Sequence, residues 1–161
     1  MPIIAPGLTN PLVDGRQSER ALVIRGGVER YFEELGQTTL AELSLRNGRR
    51  ADIVALCPKG RITIVEIKSS VADFQVDTKW PDYLEHCDQF FFATLADVPA
   101  NIFPEDRGFI VADRFGCEIV RSAESSPLAP ARRKDVHLRF ARQAGQRLRR
   151  AELFGLDVPP D

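Results

Sequence analysis

The sequence is poor in the residues that would tie it to zinc, to redox chemistry or to a membrane. Its two histidines, His86 and His137, stand far apart, and neither has a partner at metal-ligand spacing. The three cysteines, Cys57, Cys87 and Cys117, are odd in number, widely separated and without a CxxC pair. They read as reduced, buried thiols of a cytoplasmic protein, not as a disulfide frame. No apolar run approaches the ~18–20 residues that span a bilayer, and the N-terminus lacks the basic-then-apolar pattern of a secretory signal, so no membrane partner is expected. A glycine-rich phosphate loop of the Walker type is missing, as are internal repeats and low-complexity segments.

What is present is ordinary in amount and uneven in distribution. The 161 residues, 43% hydrophobic and 28% charged, suit one globular domain with a real core, here expected over residues 16–155 after an irregular, proline-bearing arm at 1–15. The net charge is −1, yet residues 132–150 hold eight Lys or Arg against a single acid, Asp135. A basic patch on a mildly acidic body is the footprint of a polyanion site.

Along the chain, Ser18 to Leu35 repeats apolar residues at helical spacing (Leu22, Val28, Phe32, Leu35) and ends at Gly36. Gly26 and Gly27 weaken that helix, and their smallness suits close approach to a sheet or to a ligand. Thr38–Leu45 reads as a first strand, and Arg46-Asn47-Gly48 turns it into a second. The third, Arg61–Lys68, is apolar on both faces, as a covered central strand should be. Ser69 or Ser70 caps a helix, with Asp73 three beyond Ser70 completing a box-like start, and Pro81 opens a further helical turn to Cys87. Phe90-Phe91-Phe92 begins a fourth strand. Phe109–Ala112 and Cys117–Arg121 form a hairpin, and Arg132–Phe154 a last helix with a stripe of Val136, Phe140, Ala144, Leu148 and Ala151. Trp80 reads as core, and His86 as structural.

The chain is organised around Asn47–Ser70. Glu66 and Lys68, two apart on a strand, share a face. Pro58-Lys59-Gly60 suits a three-residue loop that pairs Cys57 with Arg61, and counting back sets Asp52 directly opposite Glu66; a two-residue loop would turn Asp52 away. Opposed carboxylates lie roughly 4.5–5.5 Å apart and repel, so either one is protonated or a cation sits between them. Oxygen-only ligands favour magnesium or manganese over zinc. Glu42 on the first strand faces away from Asp52 if the Asn47-Gly48 turn has two residues, and stands opposite it if the turn has three. Taken alone, Glu-x-Lys on a strand is most often an exposed ion pair.

Asp52, a gap of thirteen residues, then Glu66-Ile67-Lys68 resembles the PD-(D/E)XK nuclease core. More closely, GRRADIVAL, IVEIKSS, DTKWPDYLEHCDQFFFA and LAPARRKDVHLRFAR resemble the MmcB family of DNA repair proteins, nearly over the whole chain. Ala51 stands where the motif has its proline. Gln89 has no tyrosine four residues on, so the exonuclease activity of one branch is not carried over. The resemblance implies an α/β, restriction-endonuclease-like αβββαβ core with a mixed sheet flanked by helices, plus the hairpin and the basic C-terminal helix. It also implies a magnesium- or manganese-dependent deoxyribonuclease, endonuclease before exonuclease, serving DNA repair. Asp52, Glu66 and the Ile67 carbonyl would hold the metal, Lys68 would position the water, and Glu42 would be a second-tier candidate. DNA phosphates would meet Arg46, Arg49, Arg50, Lys79, Arg132, Arg133 and Arg139. A homodimer or a repair-protein partner is compatible with this reading. The rival readings are a catalytically silent DNA-binding module of the same fold acting with a partner, and a hydrolase of small phosphate compounds.

Overall fold

The computed structural model describes residues 18–157 and 159–160; the arm expected at 1–15 lies outside them. The elements follow one another as α1 (Glu19–Glu34), β1 (Thr38–Ser44), β2 (Arg50–Leu56), β3 (Ile62–Ile67), α2 (Val71–Gln75), a 3-10 segment (Trp80–His86), β4 (Gln89–Thr94), β5 (Gly108–Asp113), β6 (Gly116–Arg121) and α3 (Pro130–Leu153). The strands form one six-stranded sheet in sequence order. Neighbours pair antiparallel for β1/β2, β2/β3 and β5/β6, and parallel for β3/β4 and β4/β5. This is the expected mixed α/β architecture of helix, three strands, helix, strand, hairpin and helix.

Side-chain alternation divides the core into two layers. All six residues of β3 are buried. In β4, Phe90 and Phe92 join the layer under Tyr83, Val136 and Phe140, whereas Phe91 joins the layer under α1. The buried face of α1 is Ile24, Val28 and Phe32; Leu22 and Leu35, expected on that stripe, are 36% and 55% exposed. Leu35 lies past the last helical residue as the C-cap. Gly27 fixes how the helix sits: a Cβ there would stand 2.0 Å from the Asp113 carbonyl oxygen and 2.5 Å from that of Gly116. The glycine thus serves close packing on the β5–β6 hairpin, while Gly26 faces open space.

The far end of α3 also departs from its expected stripe. Val136, Phe140 and Ala151 are buried, but Ala144 is only half-buried and Leu148 is 44% exposed. Here the helix runs along the edge strand β1, whose outer backbone groups need partners. Gln143 supplies two: its side-chain oxygen accepts from the Ser44 N–H at 2.9 Å, and its amide donates to the Ser44 carbonyl at 2.8 Å. Arg147 donates to the carbonyls of Ala41 and Glu42. Polar residues therefore turn inward where the periodicity placed apolar ones.

Candidate active site

Both turns that set the register have three residues. Cys57 N–H donates to the Arg61 carbonyl at 3.1 Å and Gly60 adopts φ +89°; Leu45 N–H donates to the Arg49 carbonyl at 2.8 Å and Gly48 adopts φ +83°. Both glycines take the left-handed conformation that such loops require. Asp52 consequently stands opposite Glu66, one step beyond the last paired residues, Ile53 and Val65. There the backbone ladder stops and side chains continue it. Glu66 Oε1 accepts from the Asp52 N–H at 3.0 Å, and Asp52 Oδ2 accepts from the Ile67 N–H at 2.8 Å. Each carboxylate is thereby fixed by one oxygen on the opposing strand.

The pair is only partly compensated by its surroundings. Burial, opposed in part by the Ile67 N–H and Lys68, pushes the Asp52 carboxyl up to about 6. Burial and then the Asp52 charge push Glu66 well above the usual carboxylate range. Lys68, only 8% exposed, does not bridge them: its Nζ lies 2.6 Å from Asp77 Oδ2. Burial alone would lower the Lys68 ammonium, but Asp77, Glu66 and Asp52 outweigh it and hold it above its ordinary value. Lys68 is therefore a cation here and a donor of hydrogen bonds.

These groups line an open cleft of about 600 Å³ together with Arg49, Arg50, Ser69, Asp73, Lys79 and Tyr83, and with Ala21 of α1 and its N-cap Ser18. Asp73 accepts from the Ser69 N–H at 2.9 Å, and Ser70 caps α2 by accepting from the Asp73 N–H at 3.1 Å. The Tyr83 hydroxyl donates to the Arg50 carbonyl at 2.9 Å; burial and the charges of Glu66, Asp52 and Asp77 push this phenol up, so it stays protonated. Arg49 pairs with Asp82 at 2.9 Å. Glu42 has the register of a third acid opposite Asp52, but it adopts φ +54°, pairs with Arg50 at 3.5 Å and does not line the cleft. Its left-handed backbone breaks the alternation, which is why Leu40, Leu43 and Leu45 all reach the same core layer.

The arginines expected to meet DNA divide into two groups. Arg46 is exposed on the β1–β2 turn, and Arg49, Arg50 and Lys79 line the cleft. On α3, Arg132 is half-buried and Arg139 is paired with Asp135 at 3.1 Å. Arg133 is a fastening: its guanidinium donates to both oxygens of Asp88 at 2.5 and 2.6 Å and to the Gly60 carbonyl at 3.1 Å. Asp88 also accepts from the N–H groups of Ile62 and Leu128, at 2.8 and 2.9 Å. Burial would raise Asp88, but Arg133 and these amides hold it below the usual range. His137 joins the same fastening at 2.8 Å from the Gly60 carbonyl. Trp80 packs on Phe90 and Phe92, as expected of core. His86 is buried and its imidazole is held low by burial and then by Arg132.

Asp77 escaped the reading of the sequence. Its signal was local: an aspartate two and three residues before Lys79 and Trp80, whose N–H groups it accepts at 2.8 and 3.1 Å. That pattern is an Asx turn, and it aims the second carboxylate oxygen back at the end of β3.

Could these residues hold a metal? Among the described residues no three His, Cys, Asp or Glu side chains converge on one point. The donors present are two buried carboxylates, all oxygen, with a deficit of positive charge between them. That set fits magnesium or manganese completed by a backbone carbonyl and water, and it does not fit zinc.

Fold and site together define an α/β protein whose mixed sheet splits over a buried acidic pair. The chain belongs to the MmcB-like family of DNA repair proteins, which it matches over residues 8–154. It is similar to a solved structure from Silicibacter pomeroyi, described as a protein of unknown function: 41% identity, TM-score 0.78, over 82% of this chain and 90% of that one. No curated protein matches the chain. Among the described residues no helix is long and apolar enough to cross a membrane.

Proposed function

We propose that this chain is a magnesium- or manganese-dependent DNA nuclease of the PD-(D/E)XK type acting in DNA repair. The observation that carries the reading is the acidic pair itself. Asp52 and Glu66 are opposed across splayed strands, each tied to backbone by one oxygen; burial raises both, and the Asp52 charge raises Glu66 further. A protein that only bound DNA would gain nothing from two repelling carboxylates at the floor of a cleft.

Asp52, Glu66 and the Ile67 carbonyl would hold the ion, which when bound supplies charge neutralisation at the phosphate and a more acidic water. The chain's own residues do the rest. The Asp52 and Ile67 N–H groups keep both carboxylates in one orientation, so no reorganisation is needed on loading. Lys68 presents a fixed ammonium to the attacking water and to the phosphoryl oxygen on which charge builds. Arg49, Arg50 and Lys79 hold flanking phosphates at the walls, positioning the strand without reading its sequence.

The test is cleavage of labelled linear, flapped, single-stranded and four-way-junction DNAs with magnesium or manganese, alongside Asp52→Ala and Lys68→Ala. Metal-dependent products absent from both folded variants support the reading, and the substrate cut fastest names the repair step. Cleavage that survives either change would sink it. Tight, salt-sensitive binding without products would favour the silent binding module, with its DNA affinity carried by the basic helix α3.

A further inference from the structure

We propose that Asp77 is a positioning residue that aims the Lys68 ammonium during phosphodiester cleavage, an inference that rests on the nuclease reading above. Lys68 leaves the end of β3 from a rigid base. Its N–H donates to the Ala93 carbonyl at 2.9 Å, and its carbonyl accepts from the Thr94 hydroxyl at 2.6 Å. The flexible stem would still let the ammonium wander, and a buried charge needs a partner. Asp77 Oδ2 supplies it at 2.6 Å.

Asp77 is held as firmly as it holds. Its Oδ1 accepts from the Lys79 and Trp80 N–H groups, and the Trp80 ring is seated on Phe90 and Phe92, with centroids at 5.8 and 5.2 Å. The contacts therefore run from the aromatic core to the ammonium without a flexible link. The same carboxylate shapes the turn that places Lys79 on the cleft wall.

An ammonium has three N–H donors and no acceptor. Asp77 takes one, which leaves two for the cleft: one for the attacking water and one for a non-bridging phosphoryl oxygen. In the step this supports, the water oxygen forms the new P–O bond and its proton passes to solvent. The P–O bond to the leaving sugar oxygen breaks with its electron pair, and that oxygen takes a proton from solvent.

The experiment compares wild type with Asp77→Asn, which keeps an oxygen for the Lys79 and Trp80 amides and loses the charge. It reads metal-dependent DNA cleavage and, independently, the side-chain ammonium signal of Lys68 in 15N-labelled protein. The expected result is a kcat lower by about tenfold or more with KM for DNA unchanged, a lowered melting temperature that still leaves the variant folded in the assay, and the Lys68 signal lost to rapid exchange. An unchanged kcat, or a loss accounted for entirely by unfolding, would overturn the proposal. If wild type cleaves nothing with either metal, the nuclease reading fails by itself. Asp77 is then judged on the ammonium signal: its loss in the folded variant upholds the positioning, and its persistence overturns it.

Discussion

Replacing Asp52 by asparagine should stabilise the metal-free protein at alkaline pH and leave it unchanged in acid. The Asp52 carboxyl sits at about 6, whereas in an unfolded chain it titrates near 3.9. Between about pH 4 and 6 the folded state therefore holds a proton that the unfolded state has released. Stability falls as pH rises through this interval and levels off above it, where the ionised native carboxylate stays penalised. Two pKa units at about 1.36 kcal/mol each make the loss about 3 kcal/mol by pH 8. Asparagine keeps an oxygen for the Ile67 N–H and sets no charge against Glu66. Urea unfolding in EDTA at pH 8 and pH 4 measures the difference. A gain of up to about 3 kcal/mol at pH 8 that vanishes at pH 4 is expected. A variant destabilised at pH 8, or equally stabilised at both, would refute the view that burial penalises the ionised Asp52 carboxylate.

Arg133→Ala should cost about 3 kcal/mol or more in urea unfolding, because it strands Asp88, which is 4% exposed, without its cation; weaker DNA binding with no loss of stability would instead make Arg133 a DNA contact. Gly27→Ala should destabilise by more than about 2 kcal/mol, since backbone oxygens occupy the Cβ position, whereas Gly26→Ala next to it should stabilise by about 0.5–1 kcal/mol; thermal melts of the two variants suffice. Lys134, Arg142 and Arg150 stand out from α3 with no ion pair among the described residues. If the helix meets DNA, each alanine change there should reduce the slope of log affinity against log salt by about 1.

The sequence made the site floor legible because turn chemistry and strand alternation are local and strict. Once Gly60 is granted its left-handed residue, Asp52 and Glu66 must face each other, and they do. The same logic at Gly48 put Glu42 opposite Asp52 in register, but its side chain does not line the cleft, since a left-handed φ in mid-strand is nothing the sequence announces. The apolar stripe of α1 was misjudged at Leu22 and Leu35 because helical spacing does not say where the helix ends or which glycine meets the sheet. On α3, Leu148 gave way to Arg147 and Gln143, whose partners are carbonyl and amide groups of an edge strand about a hundred residues earlier. Counting eight cations on α3 showed a basic face; it could not show that Arg133 is spent on Asp88. Asp77 was hidden for a related reason. Its role depends on a fold-back across α2, and only the Asx pattern with Lys79 and Trp80 hinted at it.

Whether Asp52 and Glu66 hold a divalent ion is decided by a manganese titration followed by electron paramagnetic resonance, on wild type, Asp52→Asn and Glu66→Gln. One bound ion is expected in wild type, displaced by magnesium and lost in both variants while each remains folded. Manganese that binds nowhere, or binds equally well without either carboxylate, would contradict it.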